Sequence, residues 1–156
     1  MLPPAVLWAD PGKMTGIARL SIAGHQPGYK FSAEELPFQD ACQVIDLWCQ
    51  GWGPSLAIGY ERFDINSETH KKSRAGIHDA IHVIGVIRYL AAKYGCRLLE
   101  PAQQHTPDAA DRGRLQALGW WVPGKDDAQS AACHLLRWLV RENELSPAQR
   151  AVLYSG

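Results

Sequence analysis

What most constrains the fold is a change of hydrophobic period near residue 37. Before it the pattern has strand character; after it helical stretches and short apolar runs alternate. Residues 6–9 form an apolar run that ends at Asp10 and is followed by the turn signal Pro11-Gly12. Residues 15–22 alternate well enough for a second strand, and residues 28–36 form a weaker third after a turn across 24–27. These three segments predict an antiparallel meander. Ala41, Val44, Ile45, Trp48 and Trp52 then recur at helical spacing within 38–52, and Pro54 closes that helix. A strand over 55–63 carries Leu56 to Tyr60 with Glu61 at its end. A polar stretch at 64–75 leads to a long helix at 76–94 and a short strand at 96–99. A loop containing Pro101, Pro107 and Gly113 precedes a last helix over residues 126–141.

The order βββαβαβα predicts an α/β fold, with one mixed five-stranded sheet covered by helices: three antiparallel strands first, then parallel ones. The 156 residues suit a single domain spanning 1–156, long enough to bury a hydrophobic core. The helix at 76–94 is apolar on more than one side, with Ile77, Ile81, Ile84, Ile87 and Ala91 on one face and Val83, Val86 and Leu90 on another. The surplus face is expected to form a two-fold interface between copies, or else to be a second buried face within one monomer.

Sixteen basic and sixteen acidic residues balance, so bulk charge does not itself argue for a nucleic-acid partner; only a local basic face could. Cys42, Cys49, Cys96 and Cys133 show neither a C-x-x-C pair nor zinc-finger spacing, and are expected to be buried thiols in a reducing compartment. The N-terminus lacks a basic region before its apolar run, and no apolar stretch approaches the ~20 residues of a membrane span. A cytoplasmic protein is expected.

Acids stand at the ends of apolar strands or at a helix start in three places: Asp10, Glu61 and the pair Asp126-Asp127. Each has an ordinary explanation. Asp10 could open a turn, Glu61 could pair with Arg62 or a lysine, and Asp126 could cap the last helix in a box with Gln129, leaving Asp127 as a first-turn acid. Together they say more. Carboxylates gathered at one sheet edge repel unless a cation sits among them, and hard divalent ions take oxygen ligands. Two such ions can clamp both oxygens of a phosphodiester displacement. His78 and His82 lie one turn apart without the H-E-x-x-H context of a zinc enzyme, and read as surface or packing residues.

Asp10-Pro11-Gly12 with Thr15-Gly16-Ile17-Ala18 resembles the opening strand-turn-strand of RuvC-like Holliday junction resolvases. Gly59-Tyr60-Glu61-Arg62-Phe63 is similar to the strand that delivers their second acid. His82 to Leu90, followed by Cys96 to Ala102, resembles their next helix and strand, and residues 115–124 with Ser130 to Leu136 resemble the C-terminal part of bacteriophage versions. The resemblance runs in order along nearly the whole chain. It implies an RNase H-like fold, a homodimer, Mg²⁺ or Mn²⁺, and endonucleolytic cutting of four-way or otherwise branched DNA.

Asp10 and Glu61 carry over as catalytic metal ligands. The family often places an acid or His three residues before a final Asp. One alignment matches Asp127 to the earlier position and Ser130 to the Asp; the other makes Asp127 the final Asp, with Gly124 before it. Asp127 is favoured as ligand, with Asp126 a second ligand or a cap. Gln103-Gln104-His105 stands where the family usually carries a lysine, and Lys125 is a substitute. Lys13, Arg62, Lys71, Lys72, Arg74 and Lys125 are the candidate phosphate contacts, against a solvated-loop reading for the stretch after Glu61. Phe63 is a candidate for stacking on bases or for the core.

Flap or fork cleavage on the same fold is the nearest alternative. A catalytically inactive DNA-binding homologue has little reason to keep Asp10, Glu61 and Asp127 together. A sugar-kinase-like ATPase would need two related domains, for which the chain is too short.

Overall fold

A computed structural model describes residues 2–22, 29–63 and 74–154. The meander is β1 (Ala5–Asp10), β2 (Met14–Ile22) and β3 (Tyr29–Pro37), each antiparallel to the one before. α1 (Phe38–Trp52) ends at Gly53, and a short 3₁₀ turn containing Pro54 leads to β4 (Leu56–Tyr60). β4 lies parallel to β1, with Trp8 opposite Gly59 and Ala9 opposite Tyr60. α2 (Arg74–Tyr94) returns the chain to β5 (Arg97–Leu98), parallel to β4. The sheet order is β3-β2-β1-β4-β5, so the five-stranded mixed sheet matches the expectation and puts β1 at its centre.

Strand parity explains how the two faces are covered. From β1, Ala5, Leu7 and Ala9 point to one side, where they pack with Ala41, Ile45 and Cys49 of α1 and Val83, Ile87, Leu90 and Ala91 of α2. Val6 and Trp8 point to the other side, joined by Ala18 and Leu20 of β2 and Ala57 of β4. That face is covered by α4 (Asp126–Arg141), whose Ala131, Ala132, Leu135, Leu136 and Leu139 are buried there. The same alternation puts Asp10, Gly16, Glu35, Gly59 and Glu61 on the α4 side.

Two helices were not expected. α3 (Ala109–Ala117) lies inside the segment expected to be a loop and opens with a reciprocal capping box between Asp108 and Asp111. α5 (Pro147–Tyr154) follows α4 and is capped by Ser146 and Gln149, each bonding the other's backbone N–H.

The surplus-face reading of α2 is corrected. Val83 and Leu90 are buried within the monomer and Val86 is half-buried, while Ile87 and Ala91 of the other face are buried too, so the alternative of a second buried face within one monomer holds. Ile81, assigned to the inward set, is instead exposed together with Tyr89. The reason is that a helix lying on a twisted sheet buries an a/d-like stripe, here Val83, Ile87 and Leu90, and sequence periodicity alone offered two equivalent stripes.

The cysteines are free; Cys49, Cys96 and Cys133 are buried and Cys42 is half-buried. Burial pushes the Cys49 and Cys133 thiols up to about 12. No helix among the described residues is long and apolar enough to cross a membrane.

Candidate active site

Three chain segments meet at the end of β1 because of two glycines. Gly16, on β2, is the register partner of Asp10 on β1 and of Glu35 on β3. A Cβ at Gly16 would come within 1.8 Å of the Asp127 carbonyl oxygen, so the first turn of α4 rests directly on the strand backbone. Any larger residue would lift α4, and with it Asp127, away from Asp10. Gly59 makes the second close approach: a Cβ there would meet the Trp8 ring at 2.4 Å. The indole therefore lies flat across β4, two residues before Asp10 on one strand and two before Glu61 on the other.

Glu61 is pinned by its backbone on both sides. Its N–H donates to the Ala9 carbonyl at 2.9 Å, and it bridges in parallel to Ala102 beyond β5. Its side chain is held as well: Oε2 accepts from His134 Nε2 at 2.5 Å and from the His105 N–H at 3.3 Å. Both donors end on Oε2, and among the described residues Oε1 accepts no hydrogen bond. Facing a carboxylate, Nε2 carries the imidazole proton.

The start of α4 corrects the capping expectation. Lys125 is the N-cap residue and makes no side-chain cap; Asp126 is the first helical residue. The Asp127 N–H instead donates to Glu35 Oε1 of β3 at 2.8 Å, with Lys125 Nζ 4.0 Å from the same carboxylate. Gln129, the expected box partner, donates to the Val122 carbonyl at 2.6 Å. A carboxylate from a distant strand thus satisfies an orphan N–H and complements the positive end of the helix dipole. Asp126 is exposed, Asp127 half-buried and Ser130 buried.

Asp10, Glu61, Asp126 and Asp127 line one cleft of about 860 Å³. Lys13, Arg62, Phe63, Gln104, His105 and Ser130 line it too. Lys13 and Arg62 are exposed and Phe63 is half-buried, while Lys125 projects beside Glu35 at the helix start. Lys71 and Lys72 lie outside the described residues, as does the side chain of Arg74 at the head of α2. His78 and His82 are exposed on α2 with ring centroids 6.3 Å apart, in keeping with the surface reading.

Two histidines that matter to the geometry, His105 and His134, stood inside the resemblance motifs but were given no role in the site. His134 follows Asp127 by seven residues, two helical turns on the same face. A polar ring at that spacing among Ala, Cys and Leu was the available signal. For His105 the signal was its place in Gln103-Gln104-His105, where the family carries a lysine; a loop has no period to add to it.

All four cleft acids offer hard oxygen ligands, which fit Mg²⁺ or Mn²⁺ and not a soft-metal centre. The four acids do not close on one point. Among the described residues the tight group of possible ligands, within 4.8 Å of one another, is His105, Asp111 and Cys133. That group is already satisfied: Asp111 takes His105 Nε2 at 2.7 Å and Arg137 Nη2 at 3.0 Å, and caps α3. Burial and the Asp111 charge keep Cys133 a thiol, with a guanidinium beside it, whereas a metal requires thiolate. It reads as a structural network behind the cleft.

No family model and no curated protein sequence matches the chain. Solved structures do. RuvC of Thermus thermophilus in complex with a Holliday junction substrate superposes with a TM-score of 0.60 at 11% identity, over 90% of this chain and 96% of that one. A second structure of Thermus thermophilus RuvC gives 0.50 at 12% identity, over 90% and 97%. Likeness at this identity speaks for the backbone and not the chemistry. The chain has the RuvC-like form of the RNase H-like fold.

Proposed function

We propose that this chain is a metal-dependent endonuclease that resolves four-way or otherwise branched DNA, acting as a homodimer with Mg²⁺ or Mn²⁺. The observation that carries the reading is the convergence of Asp10, Glu61, Asp127 and Asp126 in one cleft at the sheet edge of a RuvC-like fold. Asp10, Glu61 and Asp127 hold the ions, with Asp126 at the rim. The bound ions supply Lewis acidity for phosphodiester hydrolysis. The chain's part is to gather the acids, to fix the Glu61 carboxylate through Oε2, and to seat Asp127 over Gly16 beside Asp10.

Water adds to phosphorus, the bond to the 3′ oxygen breaks, and that oxygen leaves with a proton. Lys13 and Arg62 on the cleft lining, and Lys125 beside Glu35 at the start of α4, serve as phosphate contacts on a chain of zero net charge. Phe63 offers a ring to an unstacked base at a branch point.

The test is incubation with labelled four-way junction, flap and linear duplex, with Mg²⁺ or with EDTA. Cutting of the junction that requires Mg²⁺ and spares linear duplex is expected. Preference for the flap would move the substrate to the alternative on the same fold. No cutting of any substrate with Mg²⁺ or Mn²⁺, with junction binding retained, would replace the reading by that of an inactive junction-binding protein.

A further inference from the structure

His134, a buried imidazole on α4, makes one of the two hydrogen bonds that hold the Glu61 carboxylate through Oε2. We propose that His134 is a positioning residue for the Glu61 carboxylate, setting which of its oxygens is presented to a divalent ion. This rests on the metal-site reading of the cleft. His134 is 4% exposed, and its Nε2–H donates to Glu61 Oε2 at 2.5 Å. The ring stacks on Trp8 with centroids 6.0 Å apart and planes at 16°. Trp8 in turn packs on Gly59, where an added Cβ would meet its ring at 2.4 Å. The imidazole thus lies beside a strand residue while its proton is aimed at the carboxylate.

The His105 N–H converges on the same Oε2, so Oε1 is the oxygen left for a ligand. A carboxylate with one oxygen tethered gives up less rotational freedom when it binds an ion, and partners of this kind are worth about 10- to 100-fold in metal affinity. A buried histidine serving only the core would influence melting but not ion binding.

The experiment is calorimetric titration of Mn²⁺ into full-length wild type, His134→Leu and His134→Gln, with melting curves for each. Leu keeps the apolar bulk against Trp8, whereas Gln restores an N–H donor. His134→Leu is expected to bind Mn²⁺ about 10- to 100-fold more weakly, with His134→Gln recovering most of the loss. A folded His134→Leu with wild-type affinity overturns the proposal, as does a folded His134→Gln no better than His134→Leu.

Should His134→Leu not fold, the wild-type protein labelled in its imidazole nitrogens carries the test. The His134 Nε2 resonance is expected to shift on Mg²⁺ addition and to stay put in Asp10→Asn. A resonance indifferent to saturating Mg²⁺ overturns the proposal. Failure of the underlying reading looks different. Wild type would then bind no Mn²⁺, or bind it equally well with Asp10→Asn, and both inferences would fall together.

Discussion

At the residue scale the candidate site depends on two close approaches as much as on its acids. Asp10→Asn and Glu61→Gln are each expected to leave melting and junction binding near wild type. Each should lower Mg²⁺-dependent cleavage by about 100-fold or more, the several kcal/mol that ligand loss at such an ion implies. Near-wild-type cutting by either variant would remove that acid from the site. Gly16→Ala should do the opposite kind of damage. Its methyl would sit 1.8 Å from the Asp127 carbonyl oxygen, and backbone cannot swing aside. A loss of about 1–3 kcal/mol is expected from denaturant unfolding, along with weakened metal binding; an unchanged midpoint would mean that α4 does not rest on β2 as described. Asp10 and Glu61 were legible in the sequence because each ends an apolar run. Gly16 and Gly59 stood inside the resemblance motifs, but the reason for them is a contact with residues far along the chain.

At the element scale, α4 and α3 are held at their starts by carboxylates. Glu35 reaches the Asp127 N–H from β3, 92 residues away in sequence, so the local Asp126 capping box gave way to a tertiary one. Removing it with Glu35→Ala should cost about 0.5–2 kcal/mol, whereas Asp126→Ala should cost little. Equal losses from the two, measured by thermal melting, would restore Asp126 as the cap.

The start of α3 is pH-sensitive. Burial works to raise the Asp111 carboxyl, but hydrogen bonds from His105, the Asp108 N–H and Arg137 outweigh it and hold the group at about 2, below its ordinary 3.8. Asp111 therefore contributes stability in full above pH 3.8 and loses it as pH falls toward about 2. That contribution is on the order of 2 kcal/mol. Asp111→Asn should flatten the acid limb of the stability curve; an unchanged limb would show that other carboxylates dominate it. The signal for α3, Asp108-x-x-Asp111, was present in the sequence, but the Pro and Gly around it read as loop.

At the scale of the whole molecule, the two-fold partner of the proposed junction-cutting dimer would dock on what the monomer leaves exposed. With Val83, Ile87 and Leu90 spent on the core, the exposed apolar positions of α2 are Ile81 and Tyr89, with Gly85 between them at helical spacing and open space above it. If the proposed dimer forms, a two-fold contact over this stripe is expected. Gly85→Arg should shift light scattering from dimer to monomer at tens of micromolar without lowering the melting point. It should also uncouple the paired incisions of a junction into single nicks. A wild-type monomer at that concentration, with junction present or absent, would count decisively against a dimer.

Hydrophobic period and chain order by themselves determined the strand meander, the alternation after it, the mixed five-stranded sheet and the acids that end β1 and β4. These are local properties: a strand or helix pattern is written within ten to twenty consecutive residues. Only the tertiary structure decided which stripe of α2 is buried, that Glu35 caps α4, and that His134 and the His105 N–H share one oxygen of Glu61. The last two each join residues separated by tens of positions through one or two contacts. A single contact leaves no periodic trace along the chain; it exists only once the sheet has set two strands side by side and the Gly16 and Gly59 backbones have let a helix and a ring come down onto them.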